Sequence, residues 1–220
     1  MELINVKRYY PEKMPYGNNV QYFQSEDGKD FYDSLKLFTK KYKLCIHPAT
    51  GEIYSVAEDV SMLYPAGFSV VEVDSLPEGF SINGMWRYSE GNIQGDVQKF
   101  RASANEKINA WRDRMESGSY TFVHNGRTWD YGKKTQQRLE PSIAAAKAGK
   151  LPDGFFWTDA ENNDIPMKAE ELIALSAAAE QAMFTKGLEI HIRQREMKKD
   201  VSELSDISAL INYSPDWKKA

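Results

Sequence analysis

Near residue 96 the hydrophobic pattern of this 220-residue chain changes period, and no other feature constrains its fold as tightly. Before that point the apolar residues come in short runs cut by turn-forming residues. Residues 20–24 and 31–38 are β-prone and are separated by Asp27-Gly28, a hairpin signal. Leu44-Cys45-Ile46 and Ile53-Tyr54-Ser55-Val56 flank Pro48-Ala49-Thr50-Gly51, where proline presets one turn dihedral and glycine admits the opposite sign. Pro65-Ala66-Gly67 turns the chain into residues 68–73. Trp86 and Tyr88 lie two apart, on one face of a strand that Glu90-Gly91-Asn92 reverses. Residues 1–17 hold two prolines and no period, and read as an extended arm. The expectation for residues 1–95 is a small, mainly antiparallel β domain.

From residue 97 the step becomes helical. Val97, Phe100, Ala104, Ile108, Trp111 and Met115 recur every three or four positions on one face, and Gly118 stands where a helix ends. Asn125-Gly126 between the aromatic runs 120–123 and 128–131 specifies a tight hairpin. A helix is predicted over 133–149, with Pro141 as a kink or break inside it. Residues 154–158 read as a strand entering the turn Asn162-Asn163-Asp164. An Ala-rich helix follows over about 168–198, carrying Leu172, Leu175, Ala179 and Ala182 on one side and interrupted near Gly187. A short helix near 202–211 and an aromatic tail ending at Trp217 close the chain. Residues 96–220 are thus a mostly helical domain containing a β-hairpin, and the fold class is α+β.

Charge and cysteine content narrow the class of function. The net charge of −4 is uneven: residues 1–95 carry 9 Lys/Arg against 13 Asp/Glu, while 96–220 carry 19 of each. Acid in the front part has the wrong sign for phosphate binding, so no nucleic-acid partner is expected. It suits a partner with a basic surface. Cys45 is the single cysteine, which leaves no intrachain disulfide and no cysteine-rich zinc site, as in a reducing compartment. No apolar run approaches the roughly 18 residues of a membrane span, and none near the start has signal-peptide length. No membrane insertion is expected.

Residues able to carry chemistry are sparse. Cys45 and His47 would face one side of a strand, but a nucleophile–base pair needs direct hydrogen bonding and a third orienting group. They read as a buried thiol and a turn histidine. His124 flanks the Asn-Gly turn and His191 lies on the long helix. Asp159 to Asp164 alternates oxygen ligands like a calcium loop, yet lacks the glycine and the distal glutamate such a loop requires, and reads as a polar turn. Glu26, Asp27, Asp30 and Asp33 are acids of the kind a glycan hydrolase uses, and equally of the kind turns use. Phosphate-loop, dinucleotide and hydrolase motifs do not occur. No catalytic residue, cofactor or metal is expected. What remains is aromatic. Tyr9, Tyr10, Tyr16, Tyr22, Phe23, Trp86 and Tyr88 are the candidate partner-binding residues, because rings with polar tips anchor interfaces. A second reading, that many of them are simply core, stands beside it.

Three segments carry a resemblance: Ser25-Glu26-Asp27-Gly28 followed by Phe31 and Tyr32; Pro65-Ala66-Gly67-Phe68-Ser69-Val70-Val71-Glu72; and Trp86-Arg87-Tyr88-Ser89-Glu90-Gly91. In this order and spacing they resemble the N-terminal part of phage tail-fibre assembly proteins, over about residues 20–95. The remainder, with its Asn-Gly hairpin and Trp129-Asp130-Tyr131, looks like a domain of unknown function found in phage tail-fibre genes. The first resemblance implies a non-enzymatic chaperone that holds the C-terminal tip of a trimeric fibre while its chains align. It would act in the host cytoplasm during assembly, with retention at the fibre tip of the virion left open. Such a fibre folds slowly through long-range pairings with exposed strand edges, so a partner at the tip would set register. The C-terminal domain is then available for self-association or a second contact. The alternative is a fibre-tip adhesin that stacks host surface glycan on the aromatics.

Overall fold

The computed structural model describes residues 1–217. The chain forms two compact units. The first holds Met1–Ser103 and Leu204–Tyr213, and the second holds Ala104–Glu203 and the chain from Ser214. The expected change of period is present: antiparallel strands dominate the front of the chain and helices the back. The architecture is α+β.

In the first unit, β1 (Glu2–Leu3), β2 (Lys7–Tyr9), β3 (Tyr22–Gln24) and the short helix α1 (Phe31–Ser34) precede β4 (Tyr42–Ile46), β5 (Ile53–Ala57) and β6 (Ser69–Val73). Four strands pair antiparallel in the order β1-β6-β4-β5, with Leu3 opposite Val70 and Cys45 opposite both Val70 and Ser55. Residues 1–17 are therefore more than an arm. Leu3 and Val6 are fully buried in a core shared with Phe23, Phe31, Cys45 and Val70, and that burial fixes the chain start to the sheet edge. Residues 31–38 also depart from the β expectation, forming α1 and a tight turn over Leu35–Leu37. Asp30 is the reason. Its Oδ1 accepts the backbone N–H groups of Tyr32 (2.7 Å) and Asp33 (3.0 Å), and this N-cap outweighs the weak β propensity of the aromatics. Hairpin β7 (Trp86–Ser89) and β8 (Asn92–Gly95) then leads into α2 (Val97–Glu116). Asp96 caps α2 and also pairs with Arg87.

The second unit takes the greater part of α2, whose Ala104, Ile108 and Trp111 are buried as their spacing requires. The hairpin β9 (Tyr120–His124) and β10 (Arg127–Tyr131) turns at Asn125 and Gly126, both with positive φ. Helix α3 (Lys133–Lys147) continues through Pro141 without a break. Strands β11 (Phe156–Thr158) and β12 (Asp164–Pro166) form a second small hairpin. Helix α4 (Ala169–Glu203) is 35 residues long and Gly187 does not interrupt it. Packing of Leu172 and Ala179 against Tyr131, Leu139 and Ala146 holds the unit together. Finally α5 (Ile207–Ile211), capped by Asp206, returns to the first unit, where Ile207 lies against Gly95 and Ile211 against Gly79.

Gly187 is helical, and a Cβ there would meet no atom within 4 Å. Gly187→Ala is expected to raise stability by about 0.5–1 kcal/mol, because alanine loses less backbone entropy on entering a helix. Chemical denaturation with an unchanged m-value checks this, and a loss of stability would show that the position needs glycine.

Candidate functional site

The aromatic candidates divide according to how the local backbone presents them. Tyr22, on β3, is buried and sits at the centre of a ring cluster. Its centroid is 6.4 Å from Tyr9, 6.2 Å from Tyr16 and 6.1 Å from Tyr32, and Tyr16 and Tyr32 lie 5.2 Å apart. The Tyr22 hydroxyl accepts the Tyr16 backbone N–H at 2.9 Å and reaches the Gly17 carbonyl at 3.3 Å, so a buried ring anchors the 10–21 loop. Phe23, the next residue of the strand, points to the core and meets Phe31 at 6.3 Å and Tyr64 at 5.3 Å. Tyr16 and Tyr64 are 51% and 61% exposed, so their rings rest on buried neighbours and still face solvent. Gln21 ties the two sides together: its carbonyl accepts the Tyr32 hydroxyl and its Oε1 accepts the Tyr64 hydroxyl, each at 3.0 Å. The result is a preorganised surface of tyrosine tips, the kind of group that binds at low entropic cost.

Carboxylates of the neighbouring turn hold part of this surface in place. Asp30 caps α1 and accepts the Tyr9 hydroxyl on its second oxygen at 2.7 Å. Asp27 pairs with Lys29 at 2.6 Å and is hydrogen-bonded by Ser25, which holds the turn; both interactions keep its carboxyl below the usual range. The Tyr9 phenol moves from the ordinary 10.0 up to about 12, first because it donates to Asp30, then because of desolvation and the charges of Asp30 and Asp33. A pKa raised on folding contributes stability that is complete below pH 10 and is lost as pH rises towards 12. The wild-type chain is therefore expected to lose stability between pH 10 and 12 more steeply than Tyr9→Phe. Parallel alkaline denaturation profiles would overturn this assignment.

The other candidates are not part of the cluster. Tyr10 is 76% exposed at the end of β2, with the Arg8 guanidinium 5.2 Å from its ring centre. Trp86 is buried between Phe80 and Phe100, at 5.7 and 5.3 Å, and forms core. Half-buried Tyr88 donates its backbone N–H to the Gly51 carbonyl at 2.8 Å, which joins the β7–β8 hairpin to the β4–β5 turn. Tyr32 and Tyr64 belong to the surface although sequence reasoning did not select them. The signal for Tyr32 was the N-cap Asp30 two residues before it. Tyr64 carried none, since only the fold brings it to Gln21.

Elsewhere several candidate polar groups are occupied locally, while the buried Trp86 Nε1, Asn105 Oδ1 and His124 Nε2 have no hydrogen-bond partner among the described residues. Cys45 is buried and desolvation raises its thiol pKa, while His47 Nδ1 accepts the Ala49 and Thr50 backbone N–H groups. Asp159 closes the β11–β12 turn by accepting from the backbone of Glu161 and Asn163, both at 2.9 Å, and lies 3.4 Å from Arg127. Among the described residues, no group of three His, Cys, Asp or Glu is placed to hold a metal ion. No described helix is long and apolar enough to cross a membrane.

Comparison with known proteins finds two kinds of similarity. It is similar to Tail fiber assembly protein U' of Escherichia phage Mu, 31% identical over 77 residues, which are 34% of this chain and 44% of that protein. The Probable tail fiber assembly protein of Escherichia phage P2 matches with the same identity and coverage. Tail fiber assembly protein U of phage Mu is 27% identical over 100 residues, 42% of this chain and 57% of that protein. The chain thus spans about half the length of the curated relatives it matches. Residues 99–215, more than half of the chain, match a family described as a domain of unknown function, and on that match this protein belongs to the DUF4376 family.

Proposed function

We propose that this chain is a phage tail-fibre assembly factor that works by binding, without catalysis. The observation that carries the reading is the shared name of its phage relatives, each a tail fiber assembly protein. The first unit binds the C-terminal tip of the fibre through the tyrosine surface of Tyr16, Tyr32 and Tyr64, with Tyr9 beside it. The acids around that surface favour a basic patch on the fibre. By occupying the tip first, the chain aligns the fibre strands and covers their edges while the long-range pairings form. It acts in the host cytoplasm during assembly.

Co-expression of the fibre with and without this chain, followed by light scattering, tests the proposal. The expected result is a soluble fibre trimer only when this chain is present. Tyr16→Ala combined with Tyr64→Ala should reduce co-purified fibre by roughly tenfold or more, since an aromatic interface anchor is worth about 2 kcal/mol. A fibre that trimerises equally well alone would overturn the proposal. Loss of cell binding without loss of fibre folding would instead favour an adhesin that binds host surface glycan.

A further inference from the structure

One face of α4 is apolar and exposed among the described residues. Phe184, Leu188 and Ile192 are 68%, 49% and 50% exposed, four residues apart, on the side of the helix opposite buried Leu172, Leu175, Ile190 and Met197. Three large apolar side chains in register on one face are more than scattered exposure. The stripe continues in both directions through exposed positions. Towards the N-terminus it runs through Gln181, Ala177 and Ala174 to Glu170, and towards the C-terminus through Arg195 to Lys199. These steps of three and four average about 3.6 residues, so the stripe follows a straight helix without supercoiling. At 1.5 Å per residue it is about 44 Å long.

We propose that this face pairs antiparallel with the same face of a second copy of this chain. Charge and size both select that occupant. The stripe has an acid at its N-terminal end and two bases at its C-terminal end, and none of Glu170, Arg195 and Lys199 makes an ion pair among the described residues. Parallel pairing sets like charges side by side. Antiparallel pairing centred beside Phe184 sets Glu170 of one copy opposite Lys199 of the other. The same register places Ile192 over Ala177 and Arg195 over Ala174, so these two long side chains meet small ones, while Leu188 lies over Gln181. Phe184 then packs near its own symmetry mate on the two-fold axis, where one surface serves both copies.

Sedimentation equilibrium of the full chain over a concentration series tests the pairing. The expected mass is twice the 25.1 kDa of one chain. Leu188→Lys is expected to return it to the monomer mass with unchanged helix content, since the side chain touches solvent. Glu170→Lys and Lys199→Glu are each expected to weaken the dimer, and the double reversal to restore it. A wild-type monomer at every concentration would overturn the proposal, as would a dimer indifferent to Leu188→Lys. Failure of the double reversal to rescue would overturn the antiparallel register. Because the readout needs no fibre, it is independent of the fibre-binding reading.

Discussion

Gly51→Val is expected to be the most disruptive single substitution in the first unit, lowering its unfolding free energy by about 4 kcal/mol or preventing folding outright. Gly51 has φ of +70°, a conformation in which a β-branched side chain is strained. Space is the larger obstacle: a Cβ at this position would lie 2.3 Å from the Tyr88 carbonyl oxygen. That neighbour is backbone and cannot rotate away. The close approach has a structural purpose, because the Gly51 carbonyl accepts the Tyr88 N–H at 2.8 Å and Gly51 N–H donates to His47 at 2.9 Å. One glycine thus closes the β4–β5 turn and seats the β7–β8 hairpin against it. Urea denaturation, with hydrogen exchange at the Tyr88 amide, would measure the effect. A loss below about 1 kcal/mol, with the Tyr88 amide still protected, would show that the hairpin is held in place by other contacts.

Leu172→Ala is expected to have a comparable effect in the second unit. Leu172 is fully buried on the inner face of α4 and packs in the cluster that contains Tyr131, Leu139, Ala146 and Ala179. Its site is fully buried, so the space left by truncation is closed to solvent and is filled only as far as the surrounding side chains can shift. A leucine-to-alanine change at such a site costs about 2–5 kcal/mol, and the upper half of that range is expected here. Leu172→Met keeps the volume and should cost less than about 1.5 kcal/mol. Comparing the denaturation midpoints of the two variants separates a cavity from a change of shape. Equal losses would show that leucine's branching, rather than the space it fills, holds the cluster together.

Several elements were legible in the sequence because a local cause produces them. The Asn125-Gly126 turn needs two residues that accept positive φ, and the α2 face needs only its spacing. Residues 31–38 were misread because their aromatic composition suggested strand, whereas one carboxylate, Asp30, captures two backbone N–H groups and starts a helix. Gly187 was read as an interruption, but α4 has packing along its length to offset one glycine. The tyrosine surface was half legible. Its residue types marked it, yet nothing in the sequence distinguished Tyr22 and Trp86, which became core, from Tyr16 and Tyr10, which stayed exposed.

What the sequence determined by itself is the division of periods at residue 96, the turns, the caps and the aromatic richness of the front part, all of which act over a few residues. Tertiary structure decided which aromatics face solvent, why Tyr64 joins Tyr16, and how α5 returns to glycines more than a hundred residues earlier. It also decided that α4 buries one face and leaves the opposite apolar face open. These outcomes depend on which surfaces meet across long loops. For these residues burial is a property of the packed whole, and no local pattern encodes it.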